Sequence, residues 1–588
     1  KPPANERERK LLPDAELWVP AFDKARDVLA NAPGNHWMTM SGAKAKGYTI
    51  TPGVLTNKYK QDPVTGKLES NNGRKSRIAF DNPRFESLAA KRGECDDTGY
   101  GAPVASILQR NIMLSDACER QRGLTKADVG NAFLLGIRGA TMAGEAAGAR
   151  TLKAVIVRMP EGCRLFDPDT GEELVLVCVS PIWGERAAGF EWHMRLLALL
   201  DDAGWQPCPE VPCMFYKTLT CGHDGRLITI VDDLLFSEAD MRHDMAETTV
   251  EYLRKRVGKV TMEIEPTFYA GVVVERTFDK VNGHDTLSLS MAEKIHAGTL
   301  DAAPQIVRGE APPLAGKKLV KALHELKPLP VDERKPKLNK QDRLVGSING
   351  KLQWYKQILP GLSWMQHRLA CVIAAPPPSA FDIAVSVLAL AYDQREKRVT
   401  YTRGLKDSES LLKGAMSATI DPSTSACSDT VAIADTSWGV DIEGPFTSGD
   451  VYGLTLTRTG AHVYTTTHKL GAVVDCSAHA EAIGTGKAGE IVEEARAIET
   501  GLGVPPLKPT LVLTDNRANA LVGSGQGTLR SRHAIRRYVT FMQRVQNGAV
   551  TLRFLPDKEN PADILTKPVP YAKAEASLNW MMGTGKPS

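Results

Sequence analysis

The residues best suited to chemistry are acids at the ends of apolar runs. Asp128 stands between LTKA and VGNAFLLG, and Asp232 and Asp233 stand between ITIV and LLF. A carboxylate pair at a hairpin tip flanked by buried strands is costly. Like charges ~4 Å apart repel by about 1 kcal/mol even in water, and by more near protein. A divalent cation removes that cost, and two cations ~3.5–4 Å apart, bridged by such acids, are the machinery of phosphoryl and nucleotidyl transfer. V-D-D alone reads as an ordinary turn; Asp128 upstream turns the reading toward metal chemistry. A second set comprises Asp435 in ADTSW, Glu481 in SAHAEAIG, Asp515 in LTDNRAN and Asp563 in NPADILTKP. Acids of this kind from separate elements are what a two-metal ribonuclease needs to clamp a phosphate and activate water. Any one of them alone reads as a cap or turn residue, and Asp515 before Asn516 reads equally as a helix N-cap.

The elements that must position these acids follow from periodicity. Residues 48–90 read as strands and turns, YTITPGVLTNKYK and RKSRIAF, with D-P-V-T-G-K as a hairpin signal. Helical spacing appears at 102–122, at 190–204 (ended by Gly204), at 241–258 and over 360–415. Residues 1–45 are polar, with a short helical patch near WVPAFDKARDVLA, and GATMAGEAAGARTL at 139–152 reads as a small-residue loop insertion. From Ser428 three strands follow one another, then a long helix over 478–500, the buried strand LVLTDN, two helices and VTLRFLP. This βββαβα-like order implies a mixed sheet with helices packed on it, in a separate domain. It puts Asp435 and Asp515 at strand ends and Glu481 in the first turn of the long helix, where the dipole favours an anion.

The 588 residues are 42% apolar, which excludes wholesale disorder and leaves room for several domains. Lys and Arg total 73 against 69 Asp and Glu, a net charge of +4 that permits a nucleic-acid partner without arguing for one. Between Lys317 and Arg343 lie nine Lys/Arg, four acids and three prolines; this run reads as a solvated linker in preference to a nucleic-acid contact strip. No run approaches ~18 apolar residues, so no membrane span is expected, and no secretory h-region is visible. The chain begins at Lys1 and reads as a piece of a longer product. Ten cysteines are too sparse for a disulfide scaffold. Cys208, Cys213, Cys221 and His223 could be read as zinc ligands, but VPCMFYK around Cys213 is strand-like and the paired short spacing is missing.

Taken together, DVGNAFL (128–134), WGERAAGFEW (183–192), VPCMFY (211–216) and IVDD (230–233) resemble the reverse transcriptase of copia-type LTR retrotransposons. That family's patterns are D-V-K-x-A-F-L, Y-G-L-K-Q-A-P-R-x-W, D-P-C-L-F-Y and Y-V-D-D. NKYKQDPVTGKLESNNGRKSRIAF is similar to its fingers hairpin, and FYAGVVVER followed by LSLS to its F-L-G-I-E-I plus short strand. Downstream, ADTSWGVD, TSGD, CSAHAEAI, TDNRANAL, RHAIRRY and ADILTKP resemble the RNase H domain of the same elements, almost continuously over 434–568.

The resemblance implies a multidomain α+β and α/β chain: a right-hand polymerase of fingers, palm and thumb, followed by an RNase H-like βββαβα domain. The implied spans are an N-terminal extension (1–47), fingers and palm (48–300), thumb or connection with the basic linker (301–427), RNase H (428–570) and a tail (571–588). Asp128, Asp232 and Asp233 would bind two Mg²⁺, and Asp435, Glu481, Asp515 and Asp563 two more, with Mn²⁺ as a substitute. Lys75 and Arg77 would meet the incoming triphosphate. Phe133 would exclude a ribose 2′-OH, though a core Phe is its ordinary role. His533 and Arg537 fall on the family's basic helix beside the hybrid; His533 would bind phosphate or assist product release, or be a plain surface residue.

The implied activities are RNA-directed DNA polymerase and ribonuclease H. The partners are RNA template, DNA primer, RNA–DNA hybrid, dNTPs and other Pol and Gag products, in a cytoplasmic virus-like particle or the nucleus, with no membrane. No gag-type zinc knuckle, protease motif or integrase His/Cys cluster is recognisable. The family's Gln, Pro and Arg of K-Q-A-P-R fall on Ala187, Gly189 and Phe190, and His479 and Ile535 replace a Glu and an Asp of the nuclease patterns. Neither His479 nor Ile535 falls on an implied metal ligand; the Ala187 segment and the small-residue insertion at 139–152 favour, as the alternative, a decayed or repurposed element protein that binds nucleic acid or keeps only the nuclease.

Overall fold

The computed structural model describes residues 2–60, 62, 73–80, 101–137, 155–185, 187–279, 284–405, 428–438, 451–471, 474, 476–523 and 532–584. The D-P-V-T-G-K turn and the small-residue stretch at 139–152 lie outside them. The chain is a mixed α/β, multidomain protein with several sheets. It divides into two compact units: Lys1–Ala105 with Gly123–Glu238 and Arg242–Pro266, and Ser106–Arg122 with Ala239–Met241 and Thr267–Ser588.

In the first unit, a five-stranded sheet runs in the order His36–Thr39, Leu174–Cys178, Val155–Arg158, Ile50–Tyr59, Arg74–Phe80. The helix Val19–Ala30 covers it, opened by Pro20 and burying Phe22, Ala25 and Leu29 against Leu55, Ile78 and Leu176. The helix Val19–Ala30 and the strand His36–Thr39, expected within an extension, are therefore built into this core and its sheet. A six-stranded antiparallel sheet follows: Val260–Ile264, Gly123–Val129, Asp233–Glu238, Asp224–Ile230, Met214–Thr218, Gln206–Pro207. The helices Ala188–Asp202 and Asp244–Val257 pack on it through Trp192, Leu196, Leu200, Val250 and Leu253. Gly204 and Gly258 close those helices in the left-handed region, where a Cβ is costly.

In the second unit, the helix Ile107–Glu119 opens on a capping box between Ser106 and Gln109 and is buried almost all round. Its polar side chains find partners inside. Arg110 donates to the Ala270 carbonyl and to Gln357, Asn111 donates to the Val463 carbonyl, and Asp116 pairs with Arg120 and Arg458. A four-stranded sheet comprises Phe268–Tyr269, Val272–Asp279, His284–Ser290 and Val399–Thr402. The last strand corrects the helical reading of 360–415: Val399 and Tyr401 alternate inward with β-branched neighbours, a period-2 pattern.

The linker reading of 301–350 is also overturned. Gly316–Glu325 and Lys340–Tyr355 are helices that bury Leu319, Leu323, Val345, Ile348 and Leu352, while the lysines face outward. Counting charges over the run hid its 3.6-residue apolar period.

The C-terminal sheet runs Ala461–Lys469, Val451–Arg458, Val431–Ser437, Thr510–Thr514, Val550–Phe554. The first three strands are antiparallel; Thr510–Thr514 runs parallel to Val431–Ser437, and Val550–Phe554 parallel to Thr510–Thr514. The helices Ser477–Gly501, Arg517–Gly523 and Arg532–Gln546 accompany it. The expected tail forms the helix Tyr571–Met581, whose Trp580 and Met581 join the core of Val431, Ile433, Leu511 and Leu513. No described helix is long and apolar enough to cross a membrane.

Gly453, paired with Asp435, lets the turn Pro561–Leu565 and the residues after it lie directly on the sheet: a Cβ there would stand 2.5 Å from Leu565 Cβ and 2.9 Å from Thr566 Cγ2. Gly453→Ala is expected to destabilise the second unit by about 1–3 kcal/mol. Urea unfolding of the full chain checks this; an unchanged midpoint would refute the close approach.

Candidate functional site

The first group of acids is built on a hairpin. Asp224–Ile230 and Asp233–Glu238 are antiparallel neighbours joined through Val231 and Asp232. Val231 has φ +59°, a costly conformation for a β-branched residue. Two hydrogen bonds hold the tip. Trp192 Nε1 donates to the Val231 carbonyl at 2.8 Å, and Val129 N donates to the Asp232 carbonyl at 2.9 Å. Asp128 lies directly opposite Asp233 on the neighbouring strand.

Electrostatics separates the three acids. Burial raises the Asp232 carboxyl and Asp128 raises it further, while Arg77 and Lys75 oppose. Burial pushes Asp233 up to about 6 against the pull of Lys126, whose Nζ is 3.9 Å away. Lys75 and Arg77 share a face of Arg74–Phe80. Burial and then Arg77, Lys58 and Lys60 lower the Lys75 pKa, and Asp128 draws it the other way. The Arg77 guanidinium lies over the Trp183 ring, 5.4 Å from its centre.

Asp128 and Asp232 thus share a basic neighbourhood, and Asp233 has its own in Lys126. The three do not bring carboxylate oxygens within 4.8 Å of one another. This corrects the expected tight cluster: Asp232 occupies the tip while Asp233 starts the next strand, and successive positions aim differently.

Phe133 is half-buried against both hydrophobic cores of this unit, so its core role is realised. Within 183–192, Gly184 has φ +96° and passes so close to strand Arg74–Phe80 that a Cβ would meet the Phe80 carbonyl. Ala187 caps the helix Ala188–Asp202, and Gly189 faces Ala102 and Phe133. Of the suggested zinc ligands, Cys208 and Cys213 are buried and Cys221 is exposed; among the described residues they form no ligand group.

The second group converges more tightly. Asp435 lies in Val431–Ser437, Asp515 directly follows its parallel neighbour Thr510–Thr514, and Asp563 lies in Pro561–Leu565. Their carboxylate oxygens all lie within 4.8 Å of one another, and Asp435 and Asp563 are each 1% exposed. Asn516, not Asp515, caps the following helix, accepting from Asn519 N at 2.9 Å, so Asp515 is left for the cluster. Glu481 is the fifth residue of Ser477–Gly501, past the first turn where it was expected, and it stands outside the 4.8 Å group. The helix lies close on the strand at Gly484, where a Cβ would meet Thr436 Oγ1 at 2.5 Å.

Neutral donors and two cations surround the cluster. Asn560 Nδ2 donates to Asp515 at 3.2 Å and to Asp435 at 3.5 Å, and Thr566 Oγ1 donates to Asp435. Lys567 Nζ is 3.0 Å from Asp563 and 4.0 Å from Asp435, and Lys573 pairs with Asp563. Burial raises the pKa of both Asp435 and Asp515; Asp515 and Asp563 add to it at Asp435, and Lys567 opposes. Burial and then Asp435 and Asp515 push Glu481 up to about 9. Burial works against the Lys567 charge, but Asp435 and Asp563 outweigh it and raise its pKa. Glu481 Oε2 is buried with no hydrogen-bond donor among the described residues.

Asn560, Thr566 and Lys567 flank Asp563 within NPADILTKP and were legible as neighbours of the motif. Lys573 and Trp192 carried no sequence signal, since their roles depend on distant backbone. His533 and Arg537 fall on the helix Arg532–Gln546, but their side chains lie outside the described residues.

No protein-family model matches the chain, and no curated protein matches it.

Without divalent cations, Glu481 stays protonated in the folded chain up to about pH 9, while in the unfolded chain it ionises above about pH 4.3. The folded state then binds the extra proton, so stability falls as pH rises between these values. Thermal unfolding in chelator should show this fall, and Glu481→Gln should flatten it and raise Tm at pH 8. An identical pH profile for wild type and variant would contradict the assignment.

Proposed function

We propose that the chain is the reverse transcriptase–RNase H portion of a copia-type element. It makes DNA on RNA and DNA templates and removes the RNA strand of the hybrid. The observation that carries the reading is the placement of all seven acids singled out in the sequence. Three lie at one hairpin edge of the six-stranded sheet, and four lie around adjacent strand ends of the C-terminal sheet. The right-hand polymerase and RNase H-like architectures belong to this proposal; the βββαβα order of the C-terminal sheet and its helices supports the second.

The residues fit Mg²⁺ or Mn²⁺. All donors are hard carboxylate oxygens; Asp435, Asp515 and Asp563 bring theirs within 4.8 Å of one another, and Glu481 Oε2 has no hydrogen-bond donor among the described residues. Asp128, Asp232 and Asp233 would hold the ions of the polymerase, and Asp435, Glu481, Asp515 and Asp563 those of the nuclease. When bound, such ions acidify the attacking hydroxyl or water and stabilise the leaving oxygen. Lys75 and Arg77 would take the triphosphate of a dNTP beside Asp128 and Asp232. Phe133 would meet the sugar, and Trp192 positions the hairpin tip. Lys567, paired with Asp563 and 4.0 Å from Asp435, offsets part of the carboxylate crowding, and Asn560 orients Asp435 and Asp515. RNA template, DNA primer and hybrid are the implied partners, with other Pol and Gag products in a virus-like particle.

A second reading, a repurposed protein that keeps only the nuclease, draws on two observations. Ala187 and Gly189 offer no polar side chain to a nucleotide, and the first three acids are less convergent than the second set.

Primer extension on a homopolymer RNA template and cleavage of an RNA–DNA hybrid, both in Mg²⁺, separate the readings. Asp232→Asn is expected to cost about 3 kcal/mol or more in extension, at least ~100-fold, and to spare cleavage. Asp435→Asn should do the reverse. No extension by wild type with intact cleavage would support the nuclease-only reading. Neither activity in wild type would sink both.

A further inference from the structure

In the first unit, the start of WGERAAGFEW is fastened to the strand Arg74–Phe80. Phe80 N donates to the Trp183 carbonyl at 2.6 Å. Gly184 runs so close to the strand that a Cβ would meet the Phe80 carbonyl. Glu185 closes the turn behind, accepting from Ile182 N at 3.1 Å. The Trp183 side chain, 9% exposed, shares a hydrophobic core with Phe80, Ile182 and Leu134. Main chain and core together therefore immobilise this indole.

Arg77 lies three residues before Phe80 on the same strand, and its guanidinium carbon stands 5.4 Å from the centre of the Trp183 ring. Among the described residues no acid pairs with Arg77 and no side-chain hydrogen bond holds it, so the indole is the group that engages its charge. A half-buried arginine without a partner would sample many rotamers. A planar guanidinium stacked on a fixed ring keeps few of them and still leaves its N–H groups free at the edge for an oxyanion. Lys75, on the same face of the strand, has no such ring beside it among the described residues.

We propose that Trp183 is a positioning residue whose ring holds the Arg77 guanidinium ready for the phosphates of a nucleoside triphosphate. The inference rests on the polymerase reading, in which Arg77 meets the incoming dNTP. It gives the segment 183–192 a route to the nucleotide that needs no polar side chain at Ala187 or Gly189. One end of the segment acts through Arg77, and the other through Trp192 at the hairpin tip.

The test is a double-mutant cycle read by equilibrium dialysis of dATP against the full chain in Mg²⁺, without primer or template so that nothing turns over. Arg77→Gln and Trp183→Leu should each weaken dATP binding by about fivefold or more, and the double variant no further than Arg77→Gln alone. Trp183→Tyr, which restores a ring, should bind within about twofold of wild type. Arg77→Lys keeps the charge, loses the stacking and leaves the core untouched. It should show the Trp183→Leu loss, and it keeps the test decisive where Trp183→Leu fails to fold. Additive losses in the cycle, or wild-type binding by Trp183→Leu or Arg77→Lys, overturn the positioning role; the loss in Arg77→Gln then leaves the polymerase reading standing. A wild type that does not bind dATP, or binding indifferent to Arg77→Gln, overturns both.

Discussion

The repulsion between carboxylates placed together out of water organises both candidate sites. Asp435, Asp515 and Asp563 bring oxygens within 4.8 Å of one another with two of the three almost fully buried. At an effective dielectric near 20, each ionised pair at such spacing repels by roughly 3 to 4 kcal/mol. The surrounding chain is arranged around that cost. Asn560 and Thr566 present donors, Lys567 and Lys573 present charge, and the protein raises the carboxyl pKa values where those do not suffice. Two missing side chains make the proximity feasible. Gly453 admits the turn that carries Asp563, and Gly484 admits the helix that carries Glu481.

The first unit meets the same constraint by separation. Asp128 and Asp233 oppose each other across two strands, and Asp232 occupies the hairpin tip. Basic side chains are divided between them, Lys75 and Arg77 near Asp128 and Asp232, Lys126 near Asp233. The tip is held in an unfavourable backbone conformation at Val231 by the Trp192 indole, so a residue of 183–192 contributes through the hairpin rather than through direct contact with the acids. Strain secured by a part-buried hydrogen bond keeps the tip in one arrangement, which suits a site that must present charge at a fixed point.

Much of this was legible in the sequence where period and punctuation agreed. The strands around Asp128, Asp232, Asp435 and Asp515 stood out as apolar runs broken by acids, and Gly204 marked a helix end. The misses have physical causes. The Lys-rich run at 317–343 hid an amphipathic helix because long charged side chains sit outside a narrow apolar stripe. Val399–Thr402 was too short to compete with helical neighbours, and His36–Thr39 joins a sheet through strands more than a hundred residues away. Glu481 was assigned to the wrong turn because Ser477 begins the helix after Cys476, a weak cap. Which acids would converge, and which would keep a lysine between them, depended on register and close glycine approaches that no local pattern carries.

Under the proposed function, two separate carboxylate groups hold divalent cations. Water-proton relaxation during Mn²⁺ titration of the full chain reads it without requiring turnover. Two classes of bound Mn²⁺ are predicted. Asp435→Asn with Glu481→Gln should remove one class and leave the other, and Asp128→Asn with Asp232→Asn should do the converse. Mn²⁺ binding that is unaffected by both double variants would contradict the account.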